Sequence, residues 1–194
     1  RQEYDLQQVV SGLESIYQDA VVETLRREMP VIMYHRFIEH ESEKGVHGTW
    51  LPVAMFEKHL KLMKWLGYET LTFADLADKG FIHRLQYGKK YLMITVDDGY
   101  RDNLTRMLPL LEKYGYKAVV YIVTGEDHNR WDVEHPTHPD TPVALMNGDE
   151  ISALVASGHV EIGGHTLTHP RLSTLAPEQQ AREIRANKER LERL

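Results

Sequence analysis

The sequence predicts an α/β fold, a parallel sheet or barrel with its helices packed outside. Short apolar runs rich in β-branched residues alternate with amphipathic helical stretches along the chain, the pattern of repeated strand–helix units. The run "YLMITV" (91–96) is apolar without interruption, which fits a buried strand. The 194 residues suffice for one domain with a sizeable core and are too few for two comfortable ones.

Each element has its own signal. Residues 1–28 read as a charged helical segment, with Leu6, Val9, Val10, Leu13, Ile16, Tyr17, Ala20, Val21 and Leu25 at helical spacing. That segment is either a lead-in helix or the tail of a preceding domain, and the main domain is set at 29–194. "PVIMYH" (30–35) is a short strand, followed by the polar loop "IEHESEKGVHGTWLP". "VAMFEKHLKLMKWLG" (53–67) is an amphipathic helix with Phe56, Leu60, Met63 and Leu66 on one face and Gly67 as its stop. "YETLT" is a strand, and "FADLADKG" a short helix ended by Gly80. After "YLMITV" comes the helix "NLTRMLPLLEKYG", which Pro109 is placed to kink. "YKAVVYIV" (116–123) is a strand, and residues 124–146 form a long polar loop with three prolines, the kind that is functional or mobile. "NGDEISALVASG" is a helix with Asn147 as N-cap and Glu150 completing a capping box. "HVEIGGH" is a strand, and "APEQQAREIRANKERLERL" a final amphipathic helix.

The totals narrow the function. A net charge of −6 and no large basic patch argue against nucleic acid as a partner. The absence of cysteine excludes disulfides, thiolate zinc sites and cysteine nucleophiles, whereas eleven histidines supply imidazole ligands in plenty. No run of 18 apolar residues is present to span a membrane. The chain starts at Arg1 without a signal-peptide pattern and stops inside a helical stretch, so both ends read as cuts from something longer. Nothing in the sequence bears on oligomeric state.

Active sites of parallel α/β folds lie at the carboxyl ends of strands. Three candidates fall there: His35, the pair Asp97 and Asp98, and "GGHTLTHP" (163–170) with His165 and His169. Two adjacent carboxylates repel unless a cation sits between them. One reading gives a metal held by one aspartate while the other stays free as a base; the other makes either aspartate the cap of the helix near residue 102. His165 and His169, four apart, converge on one ion if the segment turns like a helix, or are two surface histidines. Thr166 and Thr168 are candidates to orient an imidazole. One aspartate and two histidines suit Zn²⁺ or a similar divalent transition ion with a position open for water, and the spare carboxylate suits a general base.

The sequence resembles the polysaccharide deacetylases, carbohydrate esterases with a distorted (β/α) barrel. Thr95-Val96-Asp97-Asp98-Gly99 looks like the family's T-F-D-D-G, and His165-Thr166-Leu167-Thr168-His169 matches its H-[ST]-x-x-H. "PVIMYHRF" and the stretch around 56–68 look like the branch that deacetylates β-1,6-linked poly-N-acetylglucosamine. The resemblance covers 30–194. It implies Asp97 as catalytic base and Asp98, His165 and His169 as ligands of a divalent metal, Zn²⁺ first, with Co²⁺, Ni²⁺ or Fe²⁺ as substitutes. It also implies a barrel truncated at its C-terminus, with a third motif and a late histidine acid beyond residue 194.

Other residues carry two readings each. His35 lines the pocket or packs, satisfied, at the sheet rim. Arg101 holds Asp97 in its charged form, and so faces substrate, or is a solvated helix-start residue. Trp131 stacks on a sugar ring or packs in the core. His128, His135 and His138 are a further set for an adventitious metal, and Trp50 and Trp65 are expected in the core or in helix packing.

The resulting expectation is a metal-dependent N-deacetylase acting on a GlcNAc-containing polysaccharide, bacterial and extracytoplasmic or envelope-associated. If the N-terminal helix ends an upstream glycosyltransferase, a cytoplasmic setting follows instead. Three rivals remain at this point: an O-acetyl esterase on a polymer such as xylan, a non-catalytic carbohydrate-binding domain of the same fold, and a Mg²⁺-dependent phosphoryl-transfer enzyme using Asp97 and Asp98.

Overall fold

The computed structural model of the protein describes residues 29–78, 80 and 89–194, together with position 19. The helix expected over 1–28 lies outside the described residues apart from that one position. In chain order the strands are β1 (Val31–Tyr34), β2 (Arg36–Ile38), β3 (Trp50–Pro52), β4 (Tyr68–Thr70), β5 (Lys90–Val96), β6 (Ala118–Ile122) and β7 (Val160–Gly164). The helices are α1 (Val53–Trp65), α2 (Phe73–Ala77), α3 (Leu108–Tyr114), α4 (Arg130–Val133), α5 (Gly148–Ala156) and α6 (Pro177–Leu191).

Among the described residues every pairing between these strands is parallel. The main sheet runs β1-β5-β6-β7, and β4 pairs with the start of β5, Tyr68 opposite Lys90. This is the α/β architecture that the strand–helix alternation predicts. β5 is central, and every residue from Tyr91 to Val96 is buried, hence its unbroken apolar sequence. The core gathers Phe56, Leu60 and Met63 of α1, Met107, Leu108 and Leu111 around the start of α3, Ile151 and Leu154 of α5, and the inward side chains of β5 and β6. Truncating a fully buried residue such as Leu60 to alanine costs about 2–5 kcal/mol.

Several local expectations need correction. Leu66 is 39% exposed and Trp65 80% exposed, so neither belongs to the buried face of α1. The helix turns the 56/60/63 row inward, and Trp65 points away from it. Two further strands, β2 at the start of the stretch read as loop and β3 at its end, pair as a separate parallel ribbon with Arg36 opposite Trp50. Three residues are too few to show a period. Trp50 is half-buried, its indole N–H donating to the Gly45 carbonyl at 3.3 Å.

Pro109 leaves its mark upstream. Lacking an N–H, it cannot serve the carbonyl four residues earlier, and the helix is π-wound over Asn103–Met107 before becoming α3. The start of this helix fastens the end of β1. The Asn103 side-chain amide donates to the His35 carbonyl at 2.9 Å, and the Asp102 carboxylate accepts the Phe37 N–H at 3.1 Å. Arg36 and Asp102 form a buried pair, Nε to Oδ2 3.9 Å.

Candidate metal centre

Three strand ends deliver the site. Asp97 is the last rung of the β1–β5 ladder, its N–H donating to the Tyr34 carbonyl at 2.9 Å. The chain then turns sharply, with φ 76° at Asp98 and φ 80° at Gly99. A Cβ on Gly99 would meet Ile122 Cδ1 at 2.8 Å, so both the turn and the packing require glycine. The break in strand alternation frees the Asp98 carboxylate to point into the site rather than to the face opposite Asp97. Neither carboxylate caps the following helix among the described hydrogen bonds.

At the neighbouring strand end, the His165 N–H donates to the Ile122 carbonyl at 2.9 Å and extends the β6–β7 ladder. The turn that follows is tied down from two sides. The His169 N–H donates to Thr166 Oγ1 at 3.0 Å. Glu183 of α6 accepts from the N–H groups of Leu167 and Thr168 and from the Thr168 hydroxyl. The threonines therefore fix the backbone of the turn; their bonds do not go to an imidazole. Asn187, buried in α6, donates to the carbonyls of Ile122 and Thr166 at 2.9 and 2.5 Å.

These elements bring Asp98, His165 and His169 together. Both Nε2 atoms lie 3.4 Å from Asp98 Oδ1, and the two rings are 5.0 Å apart. Among the described residues this is the one group of three ligating side chains whose donor atoms meet in a single space. Asp98 is 4% exposed, and its Oδ1 is buried with no hydrogen-bond partner. A bare buried carboxylate oxygen is costly. At 3.4 Å the nitrogens are too far for charge-assisted hydrogen bonds. That spacing is what donors each about 2 Å from a common ion adopt. The residues thus fit a divalent cation with a nitrogen–nitrogen–oxygen donor set.

The electrostatics agree. Burial first, then the charges of Asp97 and Asp132, push the Asp98 carboxyl up to about 7, and hydrogen bonding from Tyr100 works the other way. Burial, reinforced by His165 and His35, depresses His169 to about 4, and burial likewise lowers His165. Both imidazoles are therefore held in the neutral, ligating form, while the carboxyl needs a cation to ionise readily.

Asp97 stands outside the trio. His35 faces it, Nε2 to Oδ2 4.0 Å, and burial lowers the His35 pKa while Asp97 and Asp132 oppose the shift. His35 therefore lines the site. Trp131 does as well, its ring 4.3 Å from that of His169. Arg101 does not hold Asp97. Its Nε pairs with Glu150 at 2.8 Å, on the side of α5. His128 sits against Asp127 at 2.5 Å, and His135 stacks on His138 at 5.9 Å, so the loop histidines do not gather as a second centre. A cavity of about 880 Å³ between β7 and α6 touches the backs of His165 and His169, but Asp97 and Asp98 do not line it.

Sequence reasoning gave no role to Tyr100, Asp132, His47, Glu183 or Asn187. The hydroxyl of fully buried Tyr100 donates to Asp132 Oδ2 at 3.5 Å, and His47 Nε2 lies 3.8 Å from Asp132 Oδ1. Only Asn187 left a readable trace: a polar residue three positions from Ile184 and four from Leu191, in the apolar phase of α6.

Comparison with known proteins gives a consistent result. The sequence profile of a family described as "Polysaccharide deacetylase" matches residues 84–194, more than half of the chain. YxkH of Bacillus subtilis (strain 168), described as a candidate polysaccharide deacetylase, is 29% identical over 161 residues, 83% of this chain and 50% of YxkH. This chain thus spans about half the length of that curated relative. Among solved structures, BC0361, a polysaccharide deacetylase from Bacillus cereus, superposes with a TM-score of 0.64 at 26% identity, covering 86% of this chain and 47% of its own. The Streptococcus pyogenes deacetylase PplD, solved in complex with acetate, gives 0.65 at 22% identity over 86% of this chain and 68% of its own, a likeness of fold.

Proposed function

The chain belongs to the polysaccharide deacetylase family, and we propose that it hydrolyses N-acetyl groups of a GlcNAc-containing polysaccharide, releasing acetate and leaving a free amine. The observation that carries this reading is one carboxylate, Asp97, held beside a metal-competent trio that does not use it. Pure sugar binding has no need of a spare base, and phosphoryl transfer on Asp97 and Asp98 leaves both histidines without a task.

Asp98, His165 and His169 would hold the ion, and two nitrogens with one oxygen suit Zn²⁺. When bound, the ion supplies Lewis-acid polarisation of the acetamide carbonyl and makes water more acidic. The remaining chemistry falls to this chain. Asp97 takes the proton of the attacking water. His35, across from it, is the proton donor we assign to the departing amine nitrogen: the C–N bond breaks as that nitrogen gains the proton.

The finer assignments belong to the same proposal. The deacetylase domain spans 29–194, the substrate is of the β-1,6-linked poly-N-acetylglucosamine class, and the protein works outside the cytoplasm at a bacterial envelope. Acetate release from β-1,6-linked and β-1,4-linked GlcNAc oligomers, set beside acetylated xylan, tests the substrate. Release from xylan alone would turn the assignment to an O-acetyl esterase, and oligomer binding without release would leave a carbohydrate-binding domain. Metal analysis of His165→Ala tests the centre, with unchanged metal content counting against it.

A further inference from the structure

The long loop between β6 and α5 contributes a short helix, α4 (Arg130–Val133), that touches the metal-competent trio through Trp131. The Trp131 ring lies 4.3 Å from the His169 ring at an interplanar angle of 35°. Trp131 also packs against the buried cluster of Tyr100, Val123 and Leu145. Asp132, the next residue, accepts from the Tyr100 hydroxyl at 3.5 Å and from the Asn129 side-chain amide at 3.3 Å. Tyr100 and Asn129 are 0% and 1% exposed, so both hold their positions firmly.

A four-residue helix has no stability of its own. What fixes α4 is tertiary. The Asn129 Oδ1 accepts the Val143 N–H at 2.7 Å, and Tyr100 and Leu145 form an antiparallel bridge. From the other loop, His47 approaches Asp132 to 3.8 Å, and Val46 N–H donates to Asp140 at 3.0 Å. The two loops are thereby stitched to one another and to the floor of the site.

We infer that Trp131 and Asp132 are positioning residues of the metal centre: α4, anchored through Asp132 to Tyr100 and Asn129, clamps the His169 ring through Trp131. The inference rests on the metal reading of the trio. It gives Trp131 a task other than carrying a sugar, and it makes the loop part of the ion's binding energy. Ligand-orienting groups of this sort are typically worth about 10–100-fold in metal affinity.

The test is cobalt binding to the full-length protein, read by competition with a chromogenic chelator and by the visible spectrum of bound Co²⁺. Trp131→Ala and Asp132→Asn are each expected to weaken Co²⁺ binding about 10-fold and to alter the spectrum. Trp131→Phe, which keeps a ring against His169, should recover most of the affinity. At saturating metal, acetate release should return toward that of the parent. Melting of the metal-free variants separates loss of fold from loss of ligand placement; if Trp131→Ala does not fold, Trp131→Phe and Asp132→Asn decide. A parent that binds Co²⁺ while the variants match it in affinity and spectrum overturns the clamp alone. So does a raised KM for the acetylated oligomer at unchanged Co²⁺ affinity, which makes Trp131 a sugar platform. A parent that takes up no Co²⁺ overturns the centre itself, and the clamp with it.

Discussion

Glu183 holds the turn that carries both histidines: its Oε2 accepts the backbone N–H groups of Leu167 and Thr168 at 3.0 and 2.9 Å. One carboxylate on α6 thus satisfies two donors that would otherwise be left without protein partners between His165 and His169. Hydrogen bonds to a charged group contribute about 1.5–3 kcal/mol each. Glu183→Ala should therefore lower stability by about 2 kcal/mol or more and loosen the spacing of the two imidazoles. Urea unfolding and zinc competition, measured together, check both effects; an unaltered zinc affinity would show that the turn keeps its shape without Glu183.

Asp97→Asn should separate binding from chemistry. The trio is untouched, so metal content should stay at the parental level. Acetate release should fall by about 10²–10⁴-fold, the usual worth of a positioned base. Elemental analysis and an acetate assay on the same preparation check this. Loss of metal alongside activity would make Asp97 a ligand.

The pH dependence has a definite sign. Asp98 titrates at about 7 in the folded protein against an ordinary 3.8, because burial and neighbouring carboxylates disfavour its charge. A carboxyl raised in this way stabilises the metal-free fold at low pH, and that contribution is lost as pH climbs through about 7. Metal needs the ionised form. The rise in melting temperature on adding Zn²⁺ should thus be small at pH 5 and grow steadily to pH 8. His169, depressed to about 4, is neutral throughout that interval, and burial lowers the His165 pKa in the same direction. A flat response across the range would contradict the link to Asp98.

Arg101→Ala should leave acetate release within about twofold of the parent. Its partner is Glu150 at the start of α5, and half of its side chain is in solvent. An exposed pair of this kind contributes at most about 1 kcal/mol. Parallel melting curves and kcat/KM values are sufficient. A large drop in kcat/KM would bring Arg101 back to the substrate.

Much of the site is legible because it is local. Asp97-Asp98-Gly99 and His165 to His169 are short segments in which spacing alone limits what the side chains can do. The capping box of Asn147 and Glu150, 3.0 Å in each direction, is local as well. Less visible are contacts between residues far apart in the chain, such as His47 with Asp132 or Asn103 with His35. No periodicity encodes them, because packing of one loop on another selects them. Arg101 shows the converse. Its neighbourhood in sequence suggested Asp97, but the turn at Asp98 and Gly99 carries it to the other side of the strand end. Trp65 shows that a large apolar residue in an amphipathic helix need not lie on the inward face, since two steps of about 100° separate it from buried Met63.

Among the described residues, the three non-glycine positions with positive φ are Asp98, Thr166 and His169, at 76°, 67° and 58°. Each such residue costs about 1–2 kcal/mol relative to an ordinary backbone. Anyone hoping to recruit another ion by redesigning the donors inherits this constraint. Short unbranched replacements such as asparagine at 98 can follow the main chain, whereas valine or isoleucine at any of the three would fight it. The chemical repertoire open to laboratory evolution here is set as much by handedness as by affinity.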